Sequence, residues 1–267
     1  LAEAVDPGLG AWIGEHVSFA TSMVDRITPG TTDADRQAVL TATGVTDAAP
    51  VQTEPFSEWV VSGEFPAGRP EWGAAGARFV ADVHPFEQRK LALLNGAHSL
   101  LAYAGTIVGH TTVVDAIGDR RCRDWVEQWW DEAVQHLPLP AADLAAYRAA
   151  LLTRFENPRM RDALARIAAD GSAKLPIRIV PTLRAERAAG RVPVGACRVV
   201  AAWAVHLRGA GAAVQDVQPA LVDSLATGSL DDTVTKVLRH LCEDLAGDAA
   251  VTDAVLACAE QLAAAAR

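Results

Sequence analysis

From Pro85 to its end the chain repeats apolar residues at helical spacing, and no strand pattern interrupts the run. Helices are predicted at about 85–117, 119–136, 141–154, 158–169, 176–189, 195–208, 216–226, 230–246 and 250–266, set apart by breakers such as Gly118, Pro138, Pro158, Gly171, Pro193, Gly211, Gly228 and Gly247. The first 82 or so residues are mixed. Strands are predicted at Glu15–Ala20 and Trp59–Val61 and a short helix at Asp33–Thr41, with turn-rich stretches between. The expected fold is therefore mainly α: a small α/β segment over 1–82, then a multihelical domain over 83–267.

One predicted helix stands apart. Lys90-Leu91-Ala92-Leu93-Leu94-Asn95-Gly96-Ala97-His98 continues through Leu100, Leu101, Ala102 and Tyr103, apolar nearly all round, and a helix of that kind is buried. It nonetheless holds a lysine, an asparagine and a histidine. At about 100° per residue, His98 lies near 80° and Asn95 near 140° from Lys90. Burying such groups is costly unless partners or function offset it. Burial lowers a lysine's pKa, which makes it a usable general base. Asparagine is poor in a helix interior, so Asn95 needs a reason to be there. Taken singly, Lys90 reads as a surface lysine and His98 as a satisfied core histidine.

Half of the 267 residues are hydrophobic, enough for a sizeable core. A net charge of −9 with both signs interspersed argues against a nucleic-acid groove. Cys122, Cys197, Cys242 and Cys258 form no C-x-x-C pair and read as free, buried thiols of a cytoplasmic protein. No apolar run reaches membrane-span length, and the first residues lack a signal-peptide pattern. His16, His84, His110, His136, His206 and His240 form no ligand-spaced set, so no metal is expected. Asp25 and Arg26 read as an internal ion pair, and Trp125, Trp129 and Trp130 as core.

Four stretches carry a resemblance: Ser22-Met23-Val24-Asp25-Arg26-Ile27-Thr28-Pro29; Thr53-Glu54-Pro55-Phe56-Ser57-Glu58-Trp59-Val60 with Gly68-Arg69-Pro70; Lys90-x4-Asn95-x2-His98; and Asp170-Gly171-Ser172-Ala173-Lys174-Leu175-Pro176. In this order they resemble the polyol-specific long-chain dehydrogenases, the family of mannitol dehydrogenase and fructuronate reductase. The resemblance implies a helical domain like the C-terminal domain of 6-phosphogluconate dehydrogenase and a metal-independent NAD- or NADP-linked oxidation of a secondary alcohol to a ketose. It implies Lys90 as general base, Asn95 as oxyanion donor and His98 as a substrate contact, with Arg166 and Lys174 reaching the substrate. It also implies a partner, the Rossmann domain that holds the cofactor; with no G-x-G-x-x-G opening a helix, the chain reads as a C-terminal portion lacking that unit, its first 82 residues completing the cofactor-binding domain.

Two positions depart from the family pattern. Ala20-Thr21-Ser22-Met23 stands where the family reads P-N-S-M, and Trp59-Val60-Val61-Ser62-Gly63 where it reads W-V-I-E-D, with Glu64 one place later. Thr21 and Glu64 are the expected substitutes in the substrate site. The small-molecule substrate is a polyol with its ketose, or a sugar acid of the fructuronate or tagaturonate kind. The rival reading is a non-catalytic helical binding domain with a decayed site.

Overall fold

The computed structural model describes residues 2–266. Contacts sort them into two units, residues up to Ile27 with Glu54–Glu87, and Thr28–Thr53 with Gln88 onward. This grouping by contact is a different quantity from a functional division at residue 82.

The first unit is built on a three-stranded sheet, β1 (Thr21–Asp25), β2 (Glu58–Ser62) and β3 (Ala77–Phe79). β1 runs antiparallel to β2, with Thr21 opposite Ser62 and Asp25 opposite Glu58, and β3 runs parallel to β2. Met23, Val60, Val61 and Ala77 are its buried apolar residues. Trp59, Phe65, Trp72 and Phe79 form an aromatic knot, and the Arg69 guanidinium lies 3.3 Å from the centre of the Phe79 ring. The strand predicted at Glu15–Ala20 is not one. A helix capped by Asp6 runs Pro7–His16, and the strand begins at Thr21. The apolar Val17 and Phe19 that suggested alternation are exposed. Arg26 donates through Nε and Nη2 to the Glu54 carbonyl at 3.0 and 2.9 Å rather than to Asp25.

The second unit is helical around Val194–Leu207, in which every residue from Gly195 to Leu207 is buried. Ala249–Ala265, Arg120–Ala133 and Leu230–Leu241 pack on it. Glu132 accepts from the Gly195 and Ala196 amides at 2.7 and 2.9 Å, placing an anion at the positive end of the central helix. Asp33–Thr43 is a helix with a Thr32–Asp35 capping box, close to prediction.

Three predicted helices change. The one predicted at 85–117 breaks after Ile107, and Val113–Gly118 is a separate helix capped by Thr112. Of 158–169 only Leu164–Ile167 is helical, because Val113 N–H donates to the Asp162 carbonyl and Leu164 N–H to Thr111, tying this stretch to another loop. The stretch predicted as a turn from Gly171 to Pro176 is instead a helix, Gly171–Arg178, preceded by Asp170 at φ 60°, ψ 39°. Val180–Ala188 follows as a separate helix.

Candidate active site

The Lys90 helix is not α-helical throughout. Lys90–Asn95 and Leu101–Gly105 are π-helical, on either side of an α-helical Gly96–Leu100. The Gly96 N–H reaches the Leu91 carbonyl, five residues back, and passes over Ala92. The Ala92 and Leu93 carbonyls accept the indole N–H groups of Trp129 and Trp130, both at 2.9 Å. Trp129 lies so close that a Cβ on Gly96 would fall 2.7 Å from its ring. Trp129 and Trp130 are fully buried, as expected, while Trp125 is partly exposed.

The wide turn changes the geometry of the signature. A π-helix advances about 80° per residue, which puts Asn95 at roughly 40° from Lys90 and His98 at roughly 340°. The arc holding all three shrinks from about 140° to about 60°. Lys90 and Asn95 are partly exposed rather than buried, and His98 is 8% exposed, its ring 4.9 Å from that of Phe155. An amine, an amide and an imidazole on one face are what a secondary alcohol needs: a proton acceptor, a donor to the oxygen, and a hydroxyl contact.

Gly171–Arg178 packs against Lys90–Asn95 and Gly96–Leu100. Its first turn is held by Asp216, which accepts from Ser172 N–H at 2.9 Å, Ser172 Oγ at 2.5 Å and Gln218 N–H at 2.9 Å. Burial opposes the Asp216 charge, but these bonds outweigh it and keep its pKa below the usual carboxylate value. A Cβ on Gly171 would collide with the Trp203 indole and the Tyr103 hydroxyl, so only glycine fits. Lys174 Nζ donates to the Ala169 carbonyl at 2.6 Å. Burial, then the charges of Arg178 and Arg166, lower its pKa, while Asp170 and Asp216 pull the other way. Arg166 pairs with Asp162 at 2.5 Å and keeps half its side chain exposed.

Sequence reasoning missed Arg178, one turn beyond Lys174, whose Nη1 donates to Ser99 Oγ at 3.2 Å. The i, i+4 spacing from Lys174 was the available signal. It also missed a second grouping: His110, Asp119 and Cys122 bring their donor atoms within 4.8 Å of one another, though sequence spacing showed no such set. His110 Nε2 bonds Asp119 Oδ2 at 2.9 Å, Asp119 also caps the next helix, and burial pushes the Cys122 thiol up to about 12. A hydrogen-bonded helix cap beside a protonated core thiol accounts for it.

In the first unit, Thr21 and Glu64 are both exposed, and Ser18 Oγ donates to the Glu64 carbonyl at 2.6 Å. The two departures are neighbours: Thr21 faces Ser62 across β1 and β2, and Gly63 follows at φ 136°. A Cβ on Gly63 would fall 2.8 Å from the Ala20 Cα. This backbone therefore takes no aspartate at position 63.

Residues 82–263 match the family model of the mannitol dehydrogenase C-terminal domain, and residues 1–74 that of the mannitol dehydrogenase Rossmann domain. The chain thus includes a piece of the Rossmann domain, correcting the expectation that it lacks that unit, although the glycine fingerprint is not in the piece. The D-arabinitol 4-dehydrogenase of Ralstonia nicotianae is 40% identical over 96% of this chain and 57% of its own length. The D-mannonate oxidoreductase of Escherichia coli is 40% identical over 84% of this chain and 47% of its own. The Pseudomonas fluorescens mannitol 2-dehydrogenase, solved as a ternary complex with NAD and D-mannitol, superposes with a TM-score of 0.81 at 35% identity, covering 97% of this chain and 54% of that one. The chain spans about half the length of these relatives. With both of its parts matched in order, the chain belongs to the mannitol dehydrogenase family.

Proposed function

We propose that the chain is the substrate-binding and catalytic part of an NAD- or NADP-dependent dehydrogenase, mannitol 2-dehydrogenase-like, that interconverts a secondary alcohol of a polyol or sugar acid and its ketone. What supports this is the π-helical turn at Lys90–Asn95, since the ideal geometry of such a turn brings Lys90, Asn95 and His98 within an arc of about 60°. Lys90 in its neutral form accepts the hydroxyl proton. Asn95 donates its amide to the oxygen as negative charge develops there. His98 orients a neighbouring hydroxyl, and Arg166 and Lys174 hold the remainder of the substrate. Thr21 and Glu64 are proposed substrate contacts on resemblance alone.

The nicotinamide, when bound, supplies the hydride acceptor. No strand, glycine-rich turn and helix of the pyrophosphate-binding kind occurs among the described residues, so none of them is assigned to its phosphates. Functionally, 1–82 completes the cofactor-binding domain and 83–267 is the substrate domain. A cytoplasmic setting accords with four buried free thiols; no described helix is long and apolar enough to cross a membrane.

The test is NAD(P)H oxidation by the full-length protein against a panel of ketoses and keto-acids. Turnover of at least one supports the reading, and inactivity on all overturns it. Gly63 is what favours the rival of a binding domain with a decayed site, because the family's aspartate cannot stand on this backbone.

A further inference from the structure

Arg178 is a charged group without a counter-ion. Its Nε is sealed from solvent with no hydrogen-bond partner, and Nη1 reaches only the Ser99 hydroxyl. Nη2 makes no bond to any described residue, and no described carboxylate pairs with this guanidinium. An arginine does not escape by losing its proton, and a desolvated cation without an anion is unfavourable.

Several other arginines meet a carboxylate. Arg148 pairs with Glu127 and Asp131, Arg184 with Asp244, Arg187 with Asp248 and Arg191 with Glu186. Arg89 and Arg198 also have a sealed, unbonded Nε, but the Arg89 guanidinium lies 3.9 Å from the Tyr147 ring, and that of Arg198 lies 5.3 Å from the Trp125 ring while its charge acts on Glu132.

The surroundings of Arg178 suit a ligand anion. Lys174 lies one turn earlier on the same helix, its charge and that of Arg178 acting on each other, and two backbone carbonyls leave one of its three N–H donors over. Ser99, which tethers Arg178, is the residue after His98. The nearby carboxylates are engaged elsewhere or distant: Asp162 with Arg166, Asp216 with the Ser172 and Gln218 amides, and Asp170 acting on Lys174 only through space.

Resting on the dehydrogenase reading, we propose that Arg178 is a further substrate-binding residue which, with Lys174, receives a carboxylate at the end of the substrate, so that the substrate is a sugar acid rather than a neutral polyol. A guanidinium presents paired N–H donors that match a carboxylate's two oxygens, which no hydroxymethyl group can replace.

D-Fructuronate and D-fructose decide this, since they differ only in a terminal carboxylate for a hydroxymethyl group. In the full-length enzyme kcat/KM for reducing fructuronate is expected to exceed that for fructose by about 100-fold or more, mostly through KM. Arg178→Gln should collapse that ratio to within about tenfold, and Arg178→Lys should restore part of it. A wild-type enzyme that reduces both equally overturns the proposal, as does a ratio that survives Arg178→Gln, which would leave Arg178 a tether for Ser99. If Arg178→Gln does not fold, the wild-type ratio and Arg178→Lys still decide. Should neither ketone be reduced, calorimetric titration with D-mannonate against D-mannitol tests the carboxylate separately from the dehydrogenase reading: equal binding overturns it.

Discussion

Trp129 occupies the space that a side chain at Gly96 would need, and the same indole donates to the carbonyl of Ala92 in the wide turn just before it. One ring thereby both closes over the helix and serves the turn that positions Asn95. Gly96→Ala should cost about 1–3 kcal/mol, because neither the indole nor the backbone can yield without breaking that bond. Gly118→Ala, where a Cβ meets nothing within 4 Å, should stay within about 0.5 kcal/mol of wild type. Urea denaturation of both variants checks the contrast, and equal midpoints would refute the packing argument.

Lys90→Ala in the full-length enzyme should lower kcat by about 10²–10⁴-fold with a far smaller change in KM, since a general base acts in the transition state. Near wild-type kcat at neutral pH would remove Lys90 from that role.

Thr21→Val, which keeps the shape and loses the hydroxyl, should lower kcat by about tenfold or more if that hydroxyl serves as a donor. Thr21→Asn should be tolerated or beneficial toward a neutral ketose such as fructose. Gly63→Asp should fail to restore the family's carboxylate and instead lower the melting temperature, because of φ 136° and the Ala20 backbone. Steady-state kinetics and thermal scans on the three variants separate these outcomes.

Asp216 makes stability depend on acid. Its folded pKa lies below the unfolded value of about 3.9, so its contribution is full at neutral pH and is lost as pH falls from about 5 through the folded pKa. The carboxylate is partly exposed, which limits the effect. Asp216→Asn should cost about 1 kcal/mol at pH 7 and little near pH 3. Denaturant titrations of both proteins at the two pH values measure this, and a difference independent of pH would count against it.

The proposed catalytic trio stood out in the sequence, but its geometry did not. Lys90, Asn95 and His98 stood out because polar groups in an apolar helix need a reason. Their common face did not emerge, because a fixed α-helical period cannot show a π-helical turn whose carbonyls are served by Trp129 and Trp130, 37 residues on. Arg178 stayed hidden because an arginine's isolation is a property of what surrounds it in space. Gly171 looked like a breaker, yet it opens a helix whose first turn is held by Asp216, 44 positions away from Ser172. The N-terminal strand was placed too early because Val17 and Phe19 alternate as a strand does, and only exposure shows that they bury nothing. The central helix at Val194–Leu207 was predictable to within a residue, since burial on all sides needs no partner to be named.

The wide turn at Lys90–Asn95 also bears on how distant sequences are to be compared. Two groups five residues apart in a π-helical turn point in nearly the same direction as two groups four apart in an α-helix, since five steps of about 80° and four of about 100° both come to about 400°. A chain lacking one residue between its lysine and its asparagine could present the same amine and amide from an ordinary helix, without the displaced carbonyls that receive two tryptophans here. What the chemistry conserves is therefore a bearing around the helix axis. The count of residues between the two groups follows from how the neighbouring helix packs.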